Sequence, residues 1–179
     1  MELILIGFMG SGKTTVSQLL GQKYHLPVLD LDAEIVAQTG QSIPEIFAAG
    51  GEAHFRAIEH QVLAQVIDQP GILATGGGTP LREDNRALLK ASHVPVVHLR
   101  ATAAETKRRI GHDQNRPLAA QLDQAGLANL KAARHAAYQA CADFTIETNQ
   151  LTPLEVAQAI EQKRQIFLHR IKAPGEQMP

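Results

Sequence analysis

The stretch Gly7-Phe8-Met9-Gly10-Ser11-Gly12-Lys13-Thr14 constrains this chain more than any other. It fits the pattern G-x-x-x-x-G-K-[ST] at every defined position, and its flanks suit a phosphate-binding loop. Leu3-Ile4-Leu5-Ile6 reads as a short buried strand running into it, and Val16, Leu19 and Leu20 recur at helical spacing after it. Glycines let the backbone curl so that successive N–H groups face phosphate oxygens, and the following helix adds its positive end. Lys13 is placed to reach the β- and γ-phosphates, and the Thr14 hydroxyl to ligate Mg²⁺. A chance glycine-rich turn would need neither the strand nor the helix. The pattern predicts a nucleoside triphosphate site built on Gly10, Ser11, Gly12, Lys13, Thr14 and Thr15.

Composition narrows the class. A length of 179 residues suits one domain with a sizeable core. A net charge of −1 argues against non-specific nucleic-acid binding, which needs a basic surface. The single cysteine, Cys141, forbids an intrachain disulfide and suits a reducing compartment. Met1-Glu2 leads straight into the first strand, leaving no room for a signal peptide, and no apolar run approaches the ~20 residues of a membrane span. A cytoplasmic protein is expected, with no nucleic-acid or membrane partner.

Further strands are expected at Val28-Leu29, ending at Asp30-Leu31-Asp32, then at Ile72–Thr75, Val94–Leu99 and Phe144–Glu147. Between them lie helical patterns. Ser42 with Glu45 and Thr102 with Glu105 read as capping boxes, and Thr152-Pro153-Leu154-Glu155 opens the last helix. Gly50-Gly51 should end the helix that Ser42 starts, with a longer helix following on Phe55, Ile58, Val62 and Val66. Other helices are expected over Glu83–Ala91 and Leu122–Cys141. Gly111–Ala120 reads as a loop, and Lys172–Pro179 as a disordered tail. Strands alternating with helices mean βαβ units, so the expected fold is a three-layer α/β/α domain with a five-stranded parallel sheet. Ligands bind such sheets at the carboxyl ends of the strands. The glycine loop, Asp30/Asp32 and Gly76-Gly77-Gly78 each follow a strand, so all three should line one cleft.

In that cleft, alternation along an extended chain would put the carboxylates of Asp30 and Asp32 on one side. One could hold Mg²⁺ through water while the other faces an acceptor hydroxyl; an acidic helix N-terminus is the plainer account. Gly76-Gly77-Gly78 stands where many phosphate-loop enzymes carry an aspartate, which leaves Asp30 as the metal-side carboxylate. Three glycines also admit a ligand close to bare backbone. Arg56 and Glu59 could be no more than an exposed i,i+3 ion pair. Arg134 interrupts the stripe Leu127, Leu130, Tyr138 and Cys141; it either snorkels to water or meets an anion. Arg56 and Arg134 together suggest an acidic small-molecule acceptor. Arg109 and Arg116 bracket the 111–120 loop, which could close over a triphosphate and deliver an arginine.

These pieces together resemble shikimate kinases, from about residue 3 to residue 160. The phosphate loop, Asp30-Leu31-Asp32, Gly51-Glu52-Ala53-His54-Phe55-Arg56 with Glu59, Gly76-Gly77-Gly78, Arg116-Pro117-Leu118, and Arg134 with Tyr138 and Ala142-Asp143 are each similar to a motif of that family. The resemblance implies a nucleoside-monophosphate-kinase-like fold with a lid at about 111–120 and an acceptor-binding helical segment at about 31–61. It implies that Asp32, Arg56, Glu59, Gly76, Gly77, Gly78 and Arg134 bind shikimate. Arg56 and Arg134 would take the carboxylate; Asp32 would orient the 3-hydroxyl and is the candidate to accept its proton. Lys13 and Arg116 would stabilise the phosphates, Arg109 would lie near the adenine, and Thr14 would ligate Mg²⁺ with Asp30 acting through water. Thr79-Pro80, Ala119 and Gln139 depart from the family pattern.

The implied reaction is Mg²⁺-dependent transfer of the ATP γ-phosphoryl group to shikimate, in the route to chorismate and the aromatic amino acids. A gluconate-type kinase is the nearest rival, and Arg56 in its G-E-x-x-F-R setting argues against it. A non-catalytic ATP-dependent regulator is the rival from another class, disfavoured by the set Lys13, Asp32 and Arg116. With no extra apolar stripe, a monomer is expected.

Overall fold

The computed structural model describes residues 2–110 and 123–172. Five short strands form one parallel sheet: β1 (Leu3–Ile6), β2 (Val28–Asp30), β3 (Ile72–Ala74), β4 (Val96–Arg100) and β5 (Phe144–Glu147), in the order β2-β3-β1-β4-β5. The near-continuous apolar runs of β1 and β3 have this cause: a parallel strand under helices is buried on both faces. Along β1, Leu3 and Leu5 join one core, while Ile4 and Ile6 join the other.

Helices α1 (Lys13–Tyr24) and α7 (Pro153–Lys172) cover the first face through Val16, Leu20, Val156 and Ile160. On the second face lie α2 (Leu31–Thr39), α3 (Ile43–Val66), α4 (Glu83–Ala91) and α6 (Gln124–Cys141), contributing Ile35, Val62, Leu89 and Tyr138. Helix α5 (Ala103–Ile110) follows β4. The strand order reverses beside β1, so the crevice at its carboxyl end opens over the glycine loop.

Three local expectations change. Asp30-Leu31-Asp32 is not extended: Asp30 is the N-cap of α2, its side chain accepting from the Asp32 N–H at 3.1 Å, and Asp32 sits in the first helical turn. The capping rule beat the strand reading because acidic residues stabilise a helix start. Gly50-Gly51 does not separate two helices. Hydrogen bonding runs through α3, with a kink at Gly51 (φ 68°, ψ −168°). The Thr102–Glu105 box is half formed. Thr102 Oγ1 accepts from the Glu105 N–H, but the Glu105 carboxylate turns to Arg108 and Arg109, and the Thr102 N–H goes to Asn149. The Ser42 and Thr152 boxes form completely. The 111–120 loop, Leu122 and the chain beyond residue 172 lie outside the described residues.

No helix among the described residues is long and apolar enough to cross a membrane. One buried titratable group gives a stability signature. His98 on β4 is 3% exposed and stacks on Tyr138, ring centroids 4.8 Å apart. Burial first, then the positive charge around it, depresses its pKa from 6.5 to about 4. Below pH 6.5 the unfolded chain takes a proton here that the folded chain refuses, so stability should fall as pH drops from 6.5 towards 4, by about 3 kcal/mol in all. Urea unfolding at pH 7 and pH 4.5 checks it: His98→Phe keeps the ring stack and should flatten the fall relative to wild type.

Candidate active site

The glycine loop has the conformation its sequence demands. Gly7, Gly10 and Gly12 all take positive φ, and a Cβ on Gly7 would stand 2.4 Å from the Leu99 carbonyl oxygen. Gly12 caps α1 with no side chain, which leaves the first N–H groups of that helix to a ligand. The Ser11 hydroxyl is buried within the loop and meets no hydrogen-bond partner. Lys13 folds back over the loop, its Nζ donating to the carbonyls of Gly7 (2.7 Å) and Phe8 (3.1 Å). An orphaned hydroxyl, an uncapped helix start and a lysine bent over the loop fit a polyphosphate. The cleft of about 430 Å³ beside them continues along Arg109, Ile110, Leu151, Pro153 and Val156.

Asp30 stands at the same loop. Its Oδ2 accepts from the Thr14 hydroxyl at 3.2 Å, and its Oδ1 from the Asp32 N–H. A hydroxyl and a carboxylate in contact are hard oxygen donors, and Mg²⁺ is commonly held by one or two such groups together with substrate phosphates. The donor set fits Mg²⁺.

The second half of the cleft is built on the turn after β3. Each of its three glycines leaves room for something specific. A Cβ on Gly76 would lie 2.9 Å from Asp32 Oδ1; one on Gly77 would lie 3.3 Å from the Met9 nitrogen; one on Gly78 would lie 2.3 Å from Arg56 Nη2. The turn thus seats the Asp32 carboxylate, the phosphate loop and the Arg56 guanidinium side by side. Arg56 is clamped. It donates from Nη1 to Glu59 Oε2 (2.8 Å) and from Nη2 to Glu52 Oε1 (3.2 Å), and lies over the Phe55 ring.

Glu59 is 1% exposed, so this is no surface ion pair. Its other oxygen accepts from the Thr79 hydroxyl at 2.8 Å. Both oxygens are taken, which makes Glu59 a holder of Arg56. Arg134 is half-buried, its guanidinium 5.4 Å from the Phe8 ring centroid. One turn on, Tyr138 donates its hydroxyl to the Gly77 carbonyl, and burial pushes its pKa up to about 12, partly offset by Arg134.

Arg109 straps the loop to the far end of the sheet. It donates to the Gly10 carbonyl (3.3 Å) and to Thr148 Oγ1 (3.0 Å) and O (2.6 Å), and pairs with Glu105. Arg116 lies outside the described residues. The contacts of Glu52, Phe8, Thr79 and Thr148 were not foreseen from sequence. Glu52 alone gave a signal, standing four residues before Arg56.

A family model described as shikimate kinase matches residues 9–165. The chain belongs to the shikimate kinase family. Relatives named shikimate kinase are 53% identical over 161 residues in Limosilactobacillus fermentum, covering 89% of this chain and 93% of that one, and 40% identical over 164 residues in Enterococcus faecalis, covering 90% and 97%. Among solved structures, a shikimate kinase from Acinetobacter baumannii in complex with shikimate matches at a TM-score of 0.84 and 37% identity, over 94% of this chain and 93% of that one. The Aquifex aeolicus shikimate kinase matches at 0.78 and 31%, over 94% and 98%. The shikimate kinase fold therefore spans nearly all of the chain.

Proposed function

We propose that this chain transfers the γ-phosphoryl group of Mg²⁺-ATP to the 3-hydroxyl of shikimate, giving shikimate 3-phosphate and ADP. The observation that carries it is the turn after β3, which packs against the phosphate loop at Gly77 and seats Asp32 and Arg56 at Gly76 and Gly78. Both substrates' sites then meet on one piece of backbone. Membership of the shikimate kinase family and the likeness to the shikimate-bound Acinetobacter baumannii enzyme support the acceptor.

In this reading the phosphate-loop amides, Lys13 and Thr14 hold the triphosphate. Arg56 and Arg134 take the acceptor carboxylate through paired, charge-assisted hydrogen bonds. Asp32 orients the 3-hydroxyl and is the candidate to take its proton. Thr14 and, through water, Asp30 would hold Mg²⁺, which when bound neutralises charge on the phosphates. Glu59 acts on the acceptor indirectly, by fixing Arg56. Arg109 borders the nucleotide, and Arg116, on the 111–120 lid, would stabilise the transferring group. Most of the rate enhancement is positioning and electrostatics, since phosphoryl transfer asks little covalent chemistry of the protein. The working form is a single-domain cytoplasmic monomer whose segment 31–61 receives the acceptor.

The test is ADP release from Mg²⁺-ATP with shikimate, with gluconate and with neither. Release that needs shikimate is expected. Release with gluconate alone overturns the acceptor, and ATP binding without release under any condition leaves a regulator.

A further inference from the structure

Thr79 is where the sequence leaves the family pattern, and it lies at the centre of a buried polar chain. Its side chain is fully buried, and its hydroxyl donates to Glu59 Oε1 at 2.8 Å. Glu59 Oε2 accepts from Arg56 Nη1 at the same distance. The backbone of Thr79 is pinned in turn, its carbonyl accepting from Asn85 Nδ2 at 3.0 Å, while Asn85 Oδ1 meets His60 Nδ1 at 2.7 Å. Asn85 is itself fully buried. From these contacts we infer that Thr79 is a positioning residue for the acceptor: through Glu59 it fixes the plane of the carboxylate that aims Arg56. The inference rests on the shikimate reading above and deepens it.

The physical case is one of torsional freedom. The last torsion of a glutamate is broad and roughly two-fold, so one hydrogen bond does not set the carboxylate plane. Two do, when each oxygen has its own donor. Arg56 supplies one but is mobile at its far end; Thr79, tied to the turn that carries Gly76–Gly78, supplies the fixed one. The hydroxyl also lies where the acceptor turn needs open space. A Cβ on Gly76 would come within 3.3 Å of both Thr79 Oγ1 and Glu59 Oε1. The pair therefore forms the floor under Asp32 as well as the anchor of Arg56.

Valine matches threonine in shape and cannot donate. Thr79→Val should raise KM for shikimate about tenfold, the worth of one charged-partner hydrogen bond, and leave KM for ATP within twofold. Thr79→Ser, which restores the donor, should return KM for shikimate to within twofold of wild type. A merely structural threonine would not produce that split or that rescue. Steady-state ADP-release kinetics on wild type, Thr79→Val, Thr79→Ser and the smaller Thr79→Ala read all of it, and thermal melts show which variants fold. If Thr79→Val does not fold, Thr79→Ala must show the same split.

Equal rises in both KM values, an unchanged KM for shikimate in the folded variants, or a Thr79→Ser variant as impaired as Thr79→Val each overturn the positioning role. Wild type without shikimate-dependent release overturns the acceptor reading, and this inference with it. The two failures are told apart by the wild-type control.

Discussion

Lys13→Met is expected to lower kcat/KM for shikimate-dependent ADP release about a thousandfold, the scale of removing one preorganised charge from a transferring group. The reason is geometric. Lys13 is 9% exposed, and its ammonium lies against the Gly7 and Phe8 carbonyls at the turn of the loop. No neighbour in the loop could substitute, since the other side chains there are apolar or hydroxyl-bearing. Methionine keeps the apolar stem, so loss of packing does not confuse the result. ATP binding should weaken far less than turnover falls, because the loop amides and the α1 N-terminus remain. Turnover within tenfold of wild type, with ATP saturating, would remove Lys13 from the chemistry.

The same loop shows which features the sequence could disclose. Residues 7–14 announce a strand before, a helix after and positive φ at their glycines, because each property is local. Helix starts with a serine or threonine three residues before a glutamate were equally legible where no stronger partner stood nearby. The box at Thr102 fails for a nonlocal reason: Arg108 and Arg109 draw the Glu105 carboxylate away with charge-assisted bonds. Asp30 shows the opposite error. Read as the end of a strand, it is the cap that starts α2, and three residues of sequence do not distinguish those states.

The candidate site was legible as a set of residues and not as a set of contacts. Periodicity placed Phe55, Ile58 and Val62 on the core side of α3, which left Glu59 looking exposed. The kinked helix buries it against Thr79, twenty positions away. Tyr138 read as one more core residue, yet its hydroxyl reaches the Gly77 carbonyl 61 positions back. Such pairings follow from the strand order, which brings the end of β3 beside β1 and leaves α6 above both. Nothing in a single window of sequence encodes them.

That network also decides which arginine tests acceptor binding more cleanly. Removing Arg56 would strip a buried carboxylate of its cation, so stability and binding would fall together. Arg134 is half-buried, and its guanidinium rests on Phe8 with no carboxylate among the described residues recorded against it. Arg134→Ala should therefore raise KM for shikimate about 30- to 100-fold, as expected for losing a charge-assisted pair worth about 2–3 kcal/mol, with KM for ATP changed less than threefold. Arg134→Lys should recover only part of the loss. An ammonium keeps the charge but gives up both the planar two-point contact and the stack on Phe8. Titration calorimetry with shikimate and with ATP separates binding from turnover in these variants. Equal losses for the two ligands would show that Arg134 supports the cleft as a whole; full recovery with lysine would show that charge alone, without the fork, holds the acceptor.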